Sequence, residues 1–245
     1  MLKKKIEEKK IKLEEQNSSL VEAASLREDM ERMTRHDLKT PLYAVISFPK
    51  IILLENNNLN DKHKKYLKMI ESSGLRMLSM INLSLDLFKM ERGIYSYKPV
   101  AVNIEEIIKR VIGETENMAS KKDLIIDVQL DKNFESGTSI LGEELLCYMI
   151  MENLIKNAIE ASPQKERITI ILKNDNRMVS IKIINKGSVP ENIKNRFFDK
   201  YVTSGKQKGT GLGTYSAKLM VETQKGDIHL NSSKDVTSII VMLPS

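Results

Sequence analysis

The run Arg35-His36-Asp37-Leu38-Lys39-Thr40-Pro41-Leu42 sets an imidazole beside a carboxylate, with a hydroxyl and a proline following within about one helical turn. Proline removes a backbone hydrogen bond and clashes with the preceding turn, so the run is a costly one to place on a helix. Asp37 would hold the neighbouring imidazole charged or poised, depending on geometry. Far downstream come Asn153-Leu154-Ile155-Lys156-Asn157-Ala158 and Gly209-Thr210-Gly211-Leu212-Gly213. Together the three runs read as a phosphate acceptor in one half of the chain and a nucleotide holder in the other.

Asn153 and Asn157 are four residues apart, so on a helix their amides share one face, while Leu154, Ile155, Ala158 and Ile159 supply the buried side. Two such amides can coordinate Mg²⁺ through oxygen and hydrogen-bond to phosphate. An isolated pair reads more simply as capping or solvent-facing asparagine; the downstream glycines reverse that preference. Gly209 to Gly213 precedes a helical pattern, where glycines allow close backbone approach and free N–H groups meet anions. Alone it could equally be a flexible turn. Lys206 and Lys208 just before it could add positive charge against a triphosphate. The run lacks the Gly-Lys-Ser/Thr ending of a Walker loop.

These residues need a scaffold, and the 245 residues allow one large domain or two small ones. Tryptophan is absent and aromatics are 5%, which favours helix packing over an aromatic-rich β-sandwich. No stretch approaches roughly 18 uninterrupted apolar residues, so no membrane span is expected. The N-terminal lysines lack the apolar core of a signal peptide. The single Cys147 fits a small core residue in a reducing, cytoplasmic setting. Net charge is +6, but the lysines are interleaved with acids and no aromatics punctuate a basic stripe, so no nucleic-acid partner is expected.

Ile6, Leu13 and Leu20 recur every seven residues, which is coiled-coil spacing. The apolar stripe runs on through Met30, Met33, Leu38, Leu42 and Val45 to Leu53-Leu54, with Pro49 as a point of bending. After the asparagine cluster, Asn60 or Asp61 is the expected cap of a second helix ending near Gly93. A helical hairpin exposes one apolar face, and a symmetric dimer forming a four-helix bundle would cover it. Beyond the Gly93–Pro99 linker the period changes. Helices are expected over 104–120, 143–161 and 211–223, and strands over 124–130, 167–172, 178–184, 227–232 and 237–243. The polar segment 190–209 is expected to be a mobile loop around a short helix. The fold class expected is an α-helical hairpin in a dimeric four-helix bundle, followed by an α+β sandwich.

The chain resembles the catalytic half of the sensor histidine kinases of two-component systems, from about residue 20 to 244. His36 to Pro41 stands where the phosphoacceptor box lies, Asn153 to Asn157 matches the asparagine box, and Gly209 to Gly213 the second glycine box. Phe198-Asp199-Lys200-Tyr201 resembles the phenylalanine box of the ATP lid, with tyrosine in the second aromatic place. One box departs. The family has Asp-x-Gly-x-Gly, whose aspartate accepts from the adenine amino group; here Asn185-Lys186-Gly187-Ser188-Val189 replaces the aspartate and lacks the second glycine. A hydrogen bond to a charged group contributes about 1.5–3 kcal/mol and a neutral one about 0.5–1.5, so ATP affinity is expected to be weakened about tenfold.

The resemblance implies ATP and Mg²⁺ as cofactors, with Asn157 as the metal ligand, and contacts to nucleotide from Asn153, Asn185, Gly187, Lys206, Lys208, Gly209, Thr210, Gly211, Leu212 and Gly213. His36 would attack the γ-phosphorus through a neutral nitrogen, with Asp37 taking the proton from the other nitrogen. Related ATPases that use water carry glutamate where Asn153 stands; Glu152 points to another helix face and should not substitute. Thr40 resembles the threonine of the family's phosphatase motif, or else its hydroxyl bonds back to a helix carbonyl. His63 and His229 read as surface residues. Implied partners are a second copy of the chain, a response-regulator receiver domain and an upstream sensor domain or protein. The domains expected are a signalling coiled coil over 1–28, a dimerisation and phosphoacceptor domain over 29–93, a linker over 94–99 and an ATP-binding domain over 100–245. The alternative is a phosphotransfer or scaffold protein with a degenerate ATP-binding domain.

Overall fold

In the computed structural model the described residues are 9–10, 38–39, 41–55, 59–135, 137–175, 177–203 and 211–245. The chain divides into two units, Met1–Leu85 and Asp86–Ser245. The first contains a helix over residues 41–55 (α1), uninterrupted at Pro49, and most of α2 (Asp61–Glu91). Asn60 caps α2, its side-chain oxygen accepting from the His63 N–H at 2.8 Å. A Cβ on Gly74 would lie 2.7 Å from Ile46 Cγ1, so the two helices meet closely there. Many large apolar side chains of these helices stay exposed, including Phe48 at 62% and Met80 at 67%. The coiled-coil expectation over 1–28 concerns a stretch of which only residues 9–10 are described, and those are helical.

The second unit is a two-layer sandwich. Helices α3 (Ile104–Ser120), α4 (Glu144–Ala161) and α6 (Gly213–Thr223) pack on one face of a five-stranded sheet, and the single turn α5 (Glu191–Lys194) precedes α6. Its strands are β2 (Ile125–Leu130), β4 (Arg167–Asp175), β5 (Met178–Lys186), β6 (Asp227–Ser232) and β7 (Val236–Pro244), ordered β2-β4-β5-β7-β6. The β2–β4 pair is parallel and the others antiparallel. Alternation sets the buried face: Ile168, Ile170 and Leu172 of β4, and Val179, Ile181 and Ile183 of β5, meet Ile150, Leu154 and Ile155 of α4 in one apolar core. Asn103 starts α3, accepting from the Glu105 and Glu106 N–H groups, while its amide donates to Glu106 Oε1 at 3.1 Å, a reciprocal cap.

Two features depart from the sequence reading. Residues 100–103 and 139–142 pair as a separate antiparallel ribbon, β1 (Val100–Asn103) with β3 (Ser139–Gly142). Each is four residues long, too short for periodicity to register. The third helix of the sandwich begins at Gly213 and not at Gly211, because Gly211 takes φ +66°, outside helical space. Cys147 is fully buried as expected; burial pushes its thiol up to about 12, so it is a neutral packing group.

Candidate functional site

α4 is the wall of the site. Its apolar side faces the sheet, which leaves Asn153, Asn157 and Glu160 on its other faces. A cavity of about 440 Å³ opens between α4, the ends of β5 and β7, the segment 187–203 and the start of α6. It is lined by Asn157, Ala158 and Ala161 of α4, Ile183 and Asn185 of β5, and Gly187 to Pro190. Leu154, Glu160, Ile193, Phe197, Val202, Thr203, Gly211, Gly213, Thr214, Thr237 and Ile239 complete the wall.

Of the residues singled out from sequence, Asn157, Asn185, Gly187, Gly211 and Gly213 line this one cavity. Asn153 sits beside it: a Cβ added to Gly213 would lie 3.4 Å from Asn153 Oδ1 and 3.8 Å from Asn157 Nδ2. Glycine at 213 therefore keeps open the space in front of both half-buried amides, neither of which has a hydrogen-bond partner among the described residues. Leu212 caps α6, its carbonyl accepting from the Ser216 N–H at 2.8 Å. His36, Asp37, Thr40, Lys206, Lys208, Gly209 and Thr210 lie outside the described residues.

Residues 187–203 and 211–213 are positioned by backbone that only glycine allows. Gly211 has φ +66°, and a Cβ there would lie 2.5 Å from the Tyr201 carbonyl carbon. That close approach lets the Tyr201 N–H donate to the Gly211 carbonyl at 3.0 Å, pinching the wall together. Gly187, at φ +115°, packs against the last carbonyl of α4 and donates its N–H to Asp235 O. Lys122 holds that end of α4 from below, its ammonium donating to the carbonyls of Ile159, Glu160 and Ser162.

The cavity floor is polar and most of its donors are committed. Asn185 is 5% exposed and its Nδ2 donates to the Lys186 carbonyl at 3.0 Å. Thr237, opposite Asn185 in the β5–β7 register, donates to Gly187 O at 2.8 Å. Ser232 Oγ accepts from the Val189 N–H and lies 3.1 Å from Thr237 Oγ1, so its proton goes to that oxygen. With one Nδ2 hydrogen held by Lys186 O, Asn185 keeps Oδ1 as an acceptor and its other Nδ2 hydrogen as a donor. Thr237, Ser232 and Thr214 went unnoticed in sequence; the hydroxyl pair Thr237-Ser238 heading the apolar run 239–243 was the available signal. The cavity-lining aromatic is Phe197, which meets Phe198 edge-on at 5.1 Å, while Phe198 packs against the core.

Among the described residues no cluster of His, Cys, Asp and Glu could hold a metal ion. Mg²⁺ keeps several waters and takes oxygens from substrate phosphates, so the amide oxygen of Asn157 could serve as its protein ligand here. Open space before Asn153 and Asn157, glycine backbone at the mouth and an acceptor floor fit a purine nucleotide.

Comparison with known proteins agrees with this geometry. Residues 26–93 match the His Kinase A (phospho-acceptor) domain, and residues 142–245 the histidine kinase-, DNA gyrase B- and HSP90-like ATPase domain. The signal transduction histidine-protein kinase BarA of Escherichia coli is 27% identical over 222 residues, 86% of this chain and 24% of BarA. Sporulation kinase A of Bacillus subtilis is 27% identical over 199 residues, 80% of this chain and 31% of that protein. An uncharacterised sensor-like histidine kinase of Rhizobium meliloti is 26% identical over 86% of this chain and 41% of its own length. The chain thus spans between 24% and 41% of these relatives. In fold it is similar to full-length ShkA in complex with AMPPNP, with a TM-score of 0.67 at 20% identity over 88% of this chain and 45% of ShkA. The catalytic domain of the histidine kinase ThkA gives 0.55 at 23% identity, over 60% of this chain and 95% of that one. With a phosphoacceptor domain preceding an ATPase domain, and relatives of the same kind along most of its length, the chain belongs to the sensor histidine kinases.

Proposed function

We propose that this chain autophosphorylates His36 from ATP and passes the phosphoryl group to an aspartate of a response-regulator receiver domain. The observation that carries the nucleotide half is the convergence of Asn157, Asn185, Gly187, Gly211 and Gly213 on one cavity. Asn185 accepts from the adenine amino group, the amides of α4 and the glycine backbone meet the phosphates, and Asn157 provides the oxygen for Mg²⁺. Lys206, Lys208, Gly209 and Thr210 complete the phosphate contacts. When bound, Mg²⁺ offsets charge on the phosphates. Asn153 lacks the basicity to take a proton from water, which leaves the γ-phosphoryl group for His36. Asp37 orients the imidazole and accepts its proton.

The division of labour follows the sequence: a signalling helix over 1–28, a dimerisation and acceptor domain over 29–93, a linker over 94–99 and an ATP-binding domain over 100–245. The exposed apolar side chains of α1 and α2 support a homodimer in which four helices cover them. An upstream sensor domain or protein supplies the signal. No described helix is long and apolar enough to cross a membrane.

The test is incubation of the full chain with γ-labelled Mg-ATP, then addition of a receiver domain. Acid-labile label on the chain, followed by its movement to the receiver, is expected. A wild-type chain that never labels would favour the degenerate phosphotransfer or scaffold reading, for which Asn185 in place of aspartate is the motive.

Two further outcomes are expected here. Asn185→Asp restores a charged acceptor and should tighten ATP binding about tenfold by calorimetry. It also loses the Nδ2 bond to Lys186 O. That loss is present with and without nucleotide, so it lowers the thermal midpoint and leaves the gain in affinity. Unchanged affinity would place residue 185 away from the base. Thr40→Ala should keep labelling yet slow dephosphorylation of the phosphorylated receiver, by about tenfold if Thr40 orients the attacking water. An unchanged rate would assign the hydroxyl to the helix backbone.

A further inference from the structure

The last turn of α2 belongs to the second unit, Asp86–Ser245. Met90 is buried in that unit's core and Leu87 packs against it, which fixes the seat of the turn. From there Glu91, the final residue of α2, reaches both sides of the nucleotide cavity's mouth. Its Oε1 lies 2.7 Å from Lys200 Nζ, and the Tyr215 hydroxyl turns toward the same carboxylate. Lys200 Nζ in turn stands 5.0 Å from the centroid of the Tyr215 ring. Hydrogen bonding to Glu91 holds the Lys200 ammonium above its usual range, and burial together with that carboxylate raises the Tyr215 phenol.

The places of Lys200 and Tyr215 give this triad its consequence. Lys200 comes just before the cavity-lining Val202 and Thr203, and Tyr215 directly follows the cavity-lining Gly213 and Thr214. These are the two segments that the Tyr201–Gly211 backbone bond pinches together. Holding both segments from a third point removes conformational freedom that nucleotide binding would otherwise have to remove. An exposed ion pair contributes little by itself, but here it is joined by a cation–π contact and a phenol.

We infer that Glu91 is a positioning residue for the nucleotide cavity, so that ATP affinity depends on the seat of the last turn of α2. The coupling is reciprocal: ATP binding favours the seated turn by the same factor by which the seated turn favours ATP. This rests on the reading of the cavity as the ATP site.

The experiment is calorimetric titration of the full chain with ATP, using charge reversals at the pair. Glu91→Lys and Lys200→Glu should each weaken binding by about fivefold, and the double reversal should return to within about twofold of wild type. Glu91→Gln and Tyr215→Phe serve as milder variants, expected to lose about twofold to threefold, with circular dichroism reporting the fold. A purely structural role would lower the thermal midpoint without shifting affinity, and the reversal would not restore it. Single variants that bind as wild type, or a double reversal no better than the singles, would overturn the inference while leaving the ATP site intact. A wild-type chain that binds no ATP would overturn the site and the inference together.

Discussion

Asn157→Ala is expected to reduce ATP-dependent phosphorylation by about a hundredfold or more, while the chain stays folded. Asn157 is half-buried on α4, lines the cavity and has no hydrogen-bond partner among the described residues, so no hydrogen bond to a described residue is lost when its amide is removed. Alanine is also the better helix former, by up to about 0.7 kcal/mol, so the thermal midpoint should hold or rise slightly. A change that spares stability and removes activity identifies a ligand-binding group. Calorimetry should show Mg-ATP affinity falling toward the value measured without the metal. Retention of full labelling would move the metal ligand elsewhere. Asn153, one turn earlier and facing the same space before Gly213, would be the first residue to test.

His36→Gln is expected to remove all acid-labile label and leave ATP affinity unchanged. Glutamine keeps polarity and helix propensity but has no nitrogen lone pair free to attack phosphorus. Affinity should survive because every residue lining the cavity belongs to the second unit. The chain has three histidines, so the result is diagnostic. His63 lies in the first turn of α2, and His229 stands exposed on β6 with its Nε2 3.0 Å from Asp227 Oδ2; neither lines the cavity. Label persisting in the variant would transfer the acceptor role to one of them and sink the assignment of His36. Full loss in His36→Gln beside full retention of nucleotide binding would separate the acceptor from the donor site, as the two-unit organisation requires.

Much of this protein was legible without its structure, because some features are written in local pattern. The helices of the second unit show in the spacing of Ile104, Ile107, Ile108 and Val111, and β4 and β5 show as isoleucine-rich runs joined through the turn signal Asn174-Asp175-Asn176. Cap residues such as Asn60 act on their immediate neighbours, so sequence places them. Asn157 and Gly211 drew attention as an amide at helical spacing and a glycine ahead of a helix, each with a bland reading when taken alone, and Gly187 only through the resemblance to the sensor histidine kinases. What the cavity's walls do together was not. Thr237 reaches the Gly187 carbonyl only because β7 lies beside β5, and Ser232 joins it from β6, a pairing set by strand order that alternation does not encode. The ribbon of β1 and β3 was missed for the same reason: it joins residues about forty positions apart through four-residue strands. The sequence alone determined which side chains could handle a nucleotide and that a histidine should receive its phosphate. The tertiary structure alone decided that Asn157 and Asn185 line one cavity and that Glu91 meets Lys200 and Tyr215, because long-range contacts depend on how the whole chain packs.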